Sequence, residues 1–399
     1  MSLLANTGLA SFGQVQGQFL DLSDVLAELV RSDNTAFLSR VPMIGEATEV
    51  QHSWVEDSLN PLTVTNASTL ASNSSSLTMY LTGASNVLTI GAILRNNAPS
   101  GNALNELLQV TATNAAGSLT VTRAYGNTTG TAHAANAVYS IVATPAQEDA
   151  DMPGDITQSR SKYSNFTQVF LRGVKVSYSS QAILQAGVPS EFGHQTAYRL
   201  KELMRELDSS LILGAANATT GSGSSSQYRT MGGLLQFAVG GSCGVVQVLP
   251  TGATYVTAET VTPDILNTMA SAIWYNGGMT AGGYRGYILL GGKQKRRIAQ
   301  FDQSYRRADY NTNRVGYTVE KFLSDLGYEF EIIVDPWVPD DVIIMGDLNR
   351  IKVMPLKGQT MRVEDIAKTG RALKAMLTGE YTAEFRNAAQ TSAVHTNLS

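Results

Sequence analysis

Apolar residues at Ala197, Leu200, Leu203, Leu207 and Leu211 recur at spacings of three and four, while Arg199, Lys201, Glu202, Arg205, Glu206 and Asp208 fill the remaining positions. That period puts the apolar set on one side of a helix, predicted over 192–213 and ending before Gly214. A shorter helix is expected over 22–30, where Leu22, Val25, Leu26, Leu29 and Val30 share a side. Thr262 followed by Pro263 reads as a helix start: the hydroxyl can accept a first-turn amide, and proline lacks only an N–H that would be unpaired there. Ile265, Leu266, Met269 and Ile273 give that helix its apolar face, and a basic helix is predicted over 293–300. Strands are expected over 284–290, 328–334 and 341–345, with extended segments over 48–56, over 166–178 and from Ile351. The exchange of sheet and helix argues for a mixed α+β domain rather than a solenoid.

The pattern changes sharply between Leu62 and Pro145. Over 62–145 the formally charged side chains are Arg95, Glu106 and Arg123 alone, in a background of Thr, Ser, Asn, Gly and Ala. Such a tract either remains flexible, for want of apolar area to offset its ordering entropy, or folds as a small antiparallel β-domain with hydroxyl and amide side chains outward. Leu77, Met79 and Leu81 alternate with Thr78, Tyr80 and Thr82, which favours the second. Further strands are expected over 87–94, 107–113, 118–123 and 137–142, with Gly117, Gly126 and Gly130 at turns. Extended segments enter this tract near Trp54 and leave it near Phe166. The simplest arrangement is a two-stranded ribbon carrying the insert at its tip, and such a ribbon needs further packing to be stable.

Composition narrows the function classes. Of the 399 residues, 16% are charged, below the usual quarter, which suits β-rich exposed parts or a surface covered by neighbouring chains. The formal charge of −4 gives no basic footprint for general nucleic-acid binding. A single Cys, Cys243, excludes an internal disulfide and fits a reducing compartment. No apolar run reaches the length of a bilayer span, and the first residues lack the pattern of a secretion signal, so folding in a cytoplasm with no membrane partner is expected.

Candidate chemistry is sparse. Gly291, Gly292 and Lys293 resemble part of a phosphate loop, but the full glycine spacing is absent and Gln294 stands where a magnesium-binding hydroxyl would be; a glycine turn opening a basic helix explains them. His52, His133, His194 and His395 are isolated, with no metal-ligand spacing. Glu148, Asp149 and Asp151 fit a solvated turn or a weak cation site without an ordered calcium loop. No catalytic, metal or cofactor residue is assigned, and no enzymatic activity is expected. The basic stretch with Arg296, Arg297, Arg306 and Arg307 fits protein interfaces, turn stabilisation, phosphate contacts or solvated surface.

Taken together, the charge-free first 18 residues, the segments around Trp54 and Phe166, the 192–213 helix, the mixed domain through Leu356 and the C-terminal GRALKAMLTGEYTAEFRNAAQTSAVHTNLS resemble a tailed-bacteriophage major capsid protein of the Hong Kong 97 type. The resemblance implies an N-terminal arm and short helix (1–45), an extended-loop ribbon (46–61 and 146–175), and a β-rich insertion domain (62–145). It also implies a peripheral domain (176–230 and 348–399) with the 192–213 helix as its spine, and an axial domain (231–347). The insert is a departure from the minimal pattern. No charged helical scaffold segment stands at the N-terminus, which suggests a separate scaffolding protein or a segment already removed. The implied function is self-assembly, in a bacterial cytoplasm, of pentamers and hexamers into an icosahedral head around double-stranded DNA. A portal, a decoration protein and nonspecific contact with packaged DNA at the inner surface are implied partners. Interface contributors are expected at Phe12, Phe19, Trp54, Phe166, Arg296, Arg297, Arg306 and Arg307. The competing reading is a phage tail or surface adhesion protein that uses the β-insert as a binding module.

Overall fold

The computed structural model describes residues 35–399 except 58, 72–75, 82–87, 98–105, 114–117, 153–154, 184–187, 218–227, 241–259, 280–282, 302–319 and 368–369. The chain divides into two compact units, Val55–Lys162 and the remainder. The helix expected over 22–30 and the residue Cys243 lie outside the described residues.

In the larger unit, one sheet is built on a single long strand. Strands β1 (Gln51–Glu56) and β8 (Ser161–Phe166) form a two-stranded ribbon, and β9 (Gln168–Ser177) follows β8 after one residue. Strand β16 (Ala372–Phe385) pairs antiparallel with β9 along one edge. Its other edge takes β14 (Ile351–Pro355) and β15 (Arg362–Asp365). After the short helix α1 (Tyr178–Ala182), the long helix α2 (Glu191–Leu213) packs on β9 and β16. Ser190 caps it, its hydroxyl accepting the Gly193 amide at 3.3 Å. It ends at Gly214, where a Cβ would lie 2.3 Å from the Ser210 carbonyl oxygen and 2.7 Å from that of Met231. Glycine is required there by close backbone approach rather than by its φ of −55°.

The helical stripe is buried only in part. Leu203, Leu207, Leu211 and Ile212 enter the core against Phe170, Val174 and Val176 of β9, whereas Ala197 and Leu200 remain exposed. The period identified the face; which of its turns would meet the sheet depended on where β9 runs.

A second sheet has the order β11–β12–β10–β13–β17, with β10 at Gly286–Leu290, β11 at Lys321–Leu323, β12 at Glu329–Val334, β13 at Ile343–Asp347 and β17 at Ala393–His395. Strand β10 runs parallel to β12 and antiparallel to β13. Both of its faces are covered, which explains its unbroken apolar run. Tyr287 and Leu289 point into the core shared with α2, and Ile288 and Leu290 point into a second core with α3 (Pro263–Tyr275). Ile344 and Ile333 belong to the first core, while Ile343, Met345, Phe330 and Ile332 belong to the second. Helix α3 starts as its sequence indicated, with the Thr262 hydroxyl accepting the Ile265 amide at 3.4 Å. Helix α4 (Gly292–Ala299) follows β10.

After β16 and the short helix α5 (Ala388–Thr391) the C-terminal tail crosses to the second sheet, where β17 pairs with β13. Ala393 and Val394 are fully or nearly fully buried there, so apolar burial draws the tail to that edge.

The unit Val55–Lys162 holds a six-stranded antiparallel sheet, against five strands expected. Its order is β2–β7–β4–β5–β6–β3, with β2 at Thr63–Thr65, β3 at Ser76–Tyr80, β4 at Ile93–Asn96, β5 at Leu107–Thr113, β6 at Ser118–Thr122 and β7 at Val138–Ala143. The additional strand, β2, pairs with β7 through three residues, of which Val64 alone is buried. Val64, Met79, Leu94, Leu108, Val110, Leu119, Val121 and Tyr139 form the core. The alternate positions Thr63, Thr78, Arg95, Thr111 and Val138 are exposed, so the polar side chains of this tract sit mainly on its outer face.

Candidate assembly surfaces

The ribbon is rooted by a side chain that the sequence did not single out. Asn165, fully buried, donates to the carbonyl oxygens of Gly232 (3.0 Å) and Ala383 (2.8 Å). Its Oδ1 accepts the amides of Gly232 (2.8 Å) and Phe166 (2.9 Å), so the whole amide is used. Thr167 then breaks the strand: its N–H donates to Val50 O at 2.9 Å and its hydroxyl to Glu380 Oε1 at 2.5 Å. Arg229 closes the junction, donating to Thr167 O at 2.6 Å and pairing with Glu380.

Trp54 lies in this junction, 6% exposed and packed against Phe237 (ring centroids 5.7 Å) and Tyr163 (6.4 Å), so its ring stabilises its own chain. His52 stacks on it at 6.1 Å and approaches Glu384 Oε2 at 3.3 Å. Burial would raise the Glu384 carboxyl, but hydrogen bonds from His52 and Arg386 outweigh it and hold the group below its ordinary value. Phe166, also proposed from sequence, is half-buried.

Helix α4 carries Lys293 and Arg296 exposed, with Lys295 and Arg297 half-buried. Arg296 and Arg297 occupy its last turn, where cations complement the helix dipole. The Gly291 turn before it is packed: an added Cβ would meet Val338 O at 3.0 Å, and buried Gln294 donates to Asp340 O at 2.5 Å. Those contacts account for a glycine and a glutamine without a phosphate ligand. Among the described residues no group of three His, Cys, Asp or Glu is arranged to hold a metal ion, and no helix is long and apolar enough to cross a membrane. Phe12, Phe19, Arg306 and Arg307 lie outside the described residues.

Apolar exposure identifies surfaces that the sequence did not. On the chain flanking the six-stranded sheet, Leu59 is 96% exposed, Leu62 79% and Met152 92%. The two arms of this stem are joined by Asn60 Nδ2 donating to Ile156 O at 3.0 Å and by the exposed pair Arg160–Asp57. In the larger unit, Val169 and Leu171 stand out from β9, and Trp274 and Tyr275 end α3 as an exposed pair of rings in edge contact, 5.0 Å apart. Hydropathy marks these residues as core material; only the tertiary arrangement leaves them in solvent.

A long strand flanked by a ribbon, a helix packed along it, and a second mixed sheet with helices define a capsid protein of the Hong Kong 97-like fold. The capsid of the native GTA particle, computed with C5 symmetry, matches with a TM-score of 0.52 at 10% identity over 99% of this chain and 100% of that one. The capsid of the empty GTA particle matches with a TM-score of 0.50 at the same identity and coverage. At that identity the likeness is one of fold. The family model described as the SU10 major capsid protein matches residues 5–399, and the chain belongs to that family. No curated protein matches it. The protein is thus a structural component of a phage virion, assembling with copies of itself into the icosahedral head. The family match runs through the insert, which leaves the tail or adhesion reading without support.

Proposed function

We propose that this chain forms pentamers and hexamers that close, in the host cytoplasm, into a shell enclosing double-stranded DNA, with non-identical edges of each subunit meeting in rings. In this reading α2 with the β9, β14, β15 and β16 sheet is the peripheral domain. The five-stranded sheet with α3 and α4 is the axial domain, and residues 1–45 form the arm. The six-stranded insert projects at a junction between subunits or offers a seat for a decoration protein. Phe166, Arg296, Arg297 and the exposed Trp274 and Tyr275 contribute to contacts between subunits, together with Phe12, Phe19, Arg306 and Arg307. A separate scaffolding protein and a portal complete the assembly.

The observation that carries the reading is the near-complete exposure of Leu59, Leu62 and Met152. Each large apolar side chain left in water forgoes roughly 1.5–3 kcal/mol that burial would supply, and a stem bearing three gains that stabilisation by docking on another subunit. Electron microscopy of the purified or coexpressed protein at near-native ionic strength tests the proposal. Closed shells, or mixed pentamers and hexamers, are the expected result; isolated monomers under all conditions would overturn it.

A further inference from the structure

We propose that Asp208, protonated against Asp335, acts as a latch on residues 36–41, holding that segment in place while the proton is bound and loosening it when Asp208 ionises. Both carboxyls are fully buried, one on α2 and the other just after β12. They grip consecutive amides: Leu38 N donates to Asp208 Oδ1 at 2.8 Å and Phe37 N to Asp335 Oδ2 at 3.3 Å. The remaining Asp335 oxygen accepts Trp337 N at 3.0 Å. Asp208 Oδ2 is buried and receives no hydrogen bond from the described N–H and O–H groups, which is the place a proton between the carboxyls would fill. The gripped segment is itself core material, since Phe37, Leu38 and Val41 are buried and the Phe37 ring lies 5.6 Å from that of Tyr287.

The charged groups on the surrounding elements are engaged in other contacts. Arg40 of the segment pairs with Glu331 of β12, and Arg172 of β9 pairs with Glu206 of α2. Arg205 lines, with Glu206 and Trp337, a groove of about 300 Å³. Asp335 is the titratable partner that faces Asp208. Two carboxylates in such a place cannot both ionise without strong repulsion and desolvation. Burial first, then the hydrogen bond and charge of Asp335, push Asp208 up to about 8 against the opposing pull of the Leu38 amide.

When the segment opens, Asp208 regains water and an ordinary value near 3.8, so between there and about 8 the closed form binds more protons than the open one. Opening therefore becomes easier as pH rises through that window and levels off above it. Because residues 36–41 lie at the C-terminal end of the proposed N-terminal arm, the latch would set how firmly the arm is anchored; that consequence rests on the assembly reading, whereas the titration does not.

Hydrogen exchange at the Phe37 and Leu38 amides tests the latch in the full-length protein. After correction for intrinsic rates, protection should fall about tenfold per pH unit between pH ~5 and ~8. In Asp208→Asn, whose amide oxygen still accepts from Leu38 and whose NH2 can donate to Asp335, protection should not vary with pH. Equal pH dependence in wild type and variant, or flat protection in wild type, would overturn the proposal. Infrared spectroscopy of the wild-type protein needs no variant: a protonated carboxyl band should persist at neutral pH and fade above pH ~8, and its absence at neutral pH would also overturn the latch. Particles that form normally without this titration would refute the latch alone, and a normal titration without particles would refute the assembly reading alone.

Discussion

Arg123 donates its Nε to Glu106 Oε1 at 2.7 Å in the interior of the insert, where the two side chains are 2% and 0% exposed. They are two of the three formally charged residues between Leu62 and Pro145, so a tract nearly devoid of charge spends most of what it has inside. Glu106 also accepts the amides of Thr131 (2.9 Å) and Ala124 (3.2 Å) and lies 3.0 Å from His133 Nε2. Nδ1 of His133 meets the Tyr139 hydroxyl at 2.6 Å, and burial pushes that phenol up to about 12. Arg123 reaches the carbonyls of Ala71 and Thr131 as well, so one ion pair ties together loops far apart in sequence.

Removing one partner leaves a buried charge without its counter-ion. Arg123→Met should destabilise the insert by about 3–5 kcal/mol. Adding Glu106→Leu should recover only part of that loss, because the amides of Thr131 and Ala124 would then lack an acceptor. Amide exchange over β5 and β6 in the full-length protein would report both variants, and a double variant as stable as wild type would show that the network contributes nothing net.

The same network predicts acid sensitivity. Burial alone would raise Glu106, but hydrogen bonds from His133, Arg123, Thr131 and Ala124 outweigh it and bring the carboxyl from 4.5 down to about 2. A depressed carboxyl stabilises the fold fully above its unfolded value and loses that contribution as pH falls towards the folded one. Protection in β5 and β6 should thus hold down to pH ~4.5 and decline towards pH ~2, and Glu106→Gln should remove that acid-dependent component.

Leu207 on α2 is fully buried beneath the β9 and β16 sheet, whereas Leu200 on the same helix is 41% exposed. Leu207→Ala should lower stability by about 2–5 kcal/mol, while Leu200→Ala should lower it by well under that amount. Denaturant unfolding of the two variants under one set of conditions measures the contrast.

For the stem, replacing Leu59, Leu62 and Met152 together by Ser should leave the melting temperature of the unassembled protein near that of wild type, since these side chains are 79% exposed or more. Sedimentation should show a large loss of closed particles. Unimpaired assembly would remove the stem from the list of subunit contacts.

Much of the fold was legible because it is local. The α2 period, the Thr262 cap, the β10 strand and the alternation in β3 arise from residues within one element, where side-chain direction follows from backbone repeat alone. Legibility ended where direction depended on a distant partner. Trp54 carries the same apolar ring whether it faces a neighbour or Phe237, and Leu59 the same chain whether it is core or surface. Asn165, whose amide joins residues 232 and 383 across more than 60 and 200 positions, gave no local signal.

The amino-acid sequence by itself determined the inventory: a helix with one apolar face, a mixed α and β domain, and a nearly uncharged insert whose apolar residues alternate at the period of a strand. Those features are set by propensity and pattern over a few residues. Tertiary structure alone decided that β17 joins β13, that Glu106 and Arg123 meet in the dark, and that Asp208 and Asp335 converge on two neighbouring amides. The reason is physical: a carboxylate's environment is made by elements remote in the chain, and hydropathy fixes the drive to be buried without fixing against what.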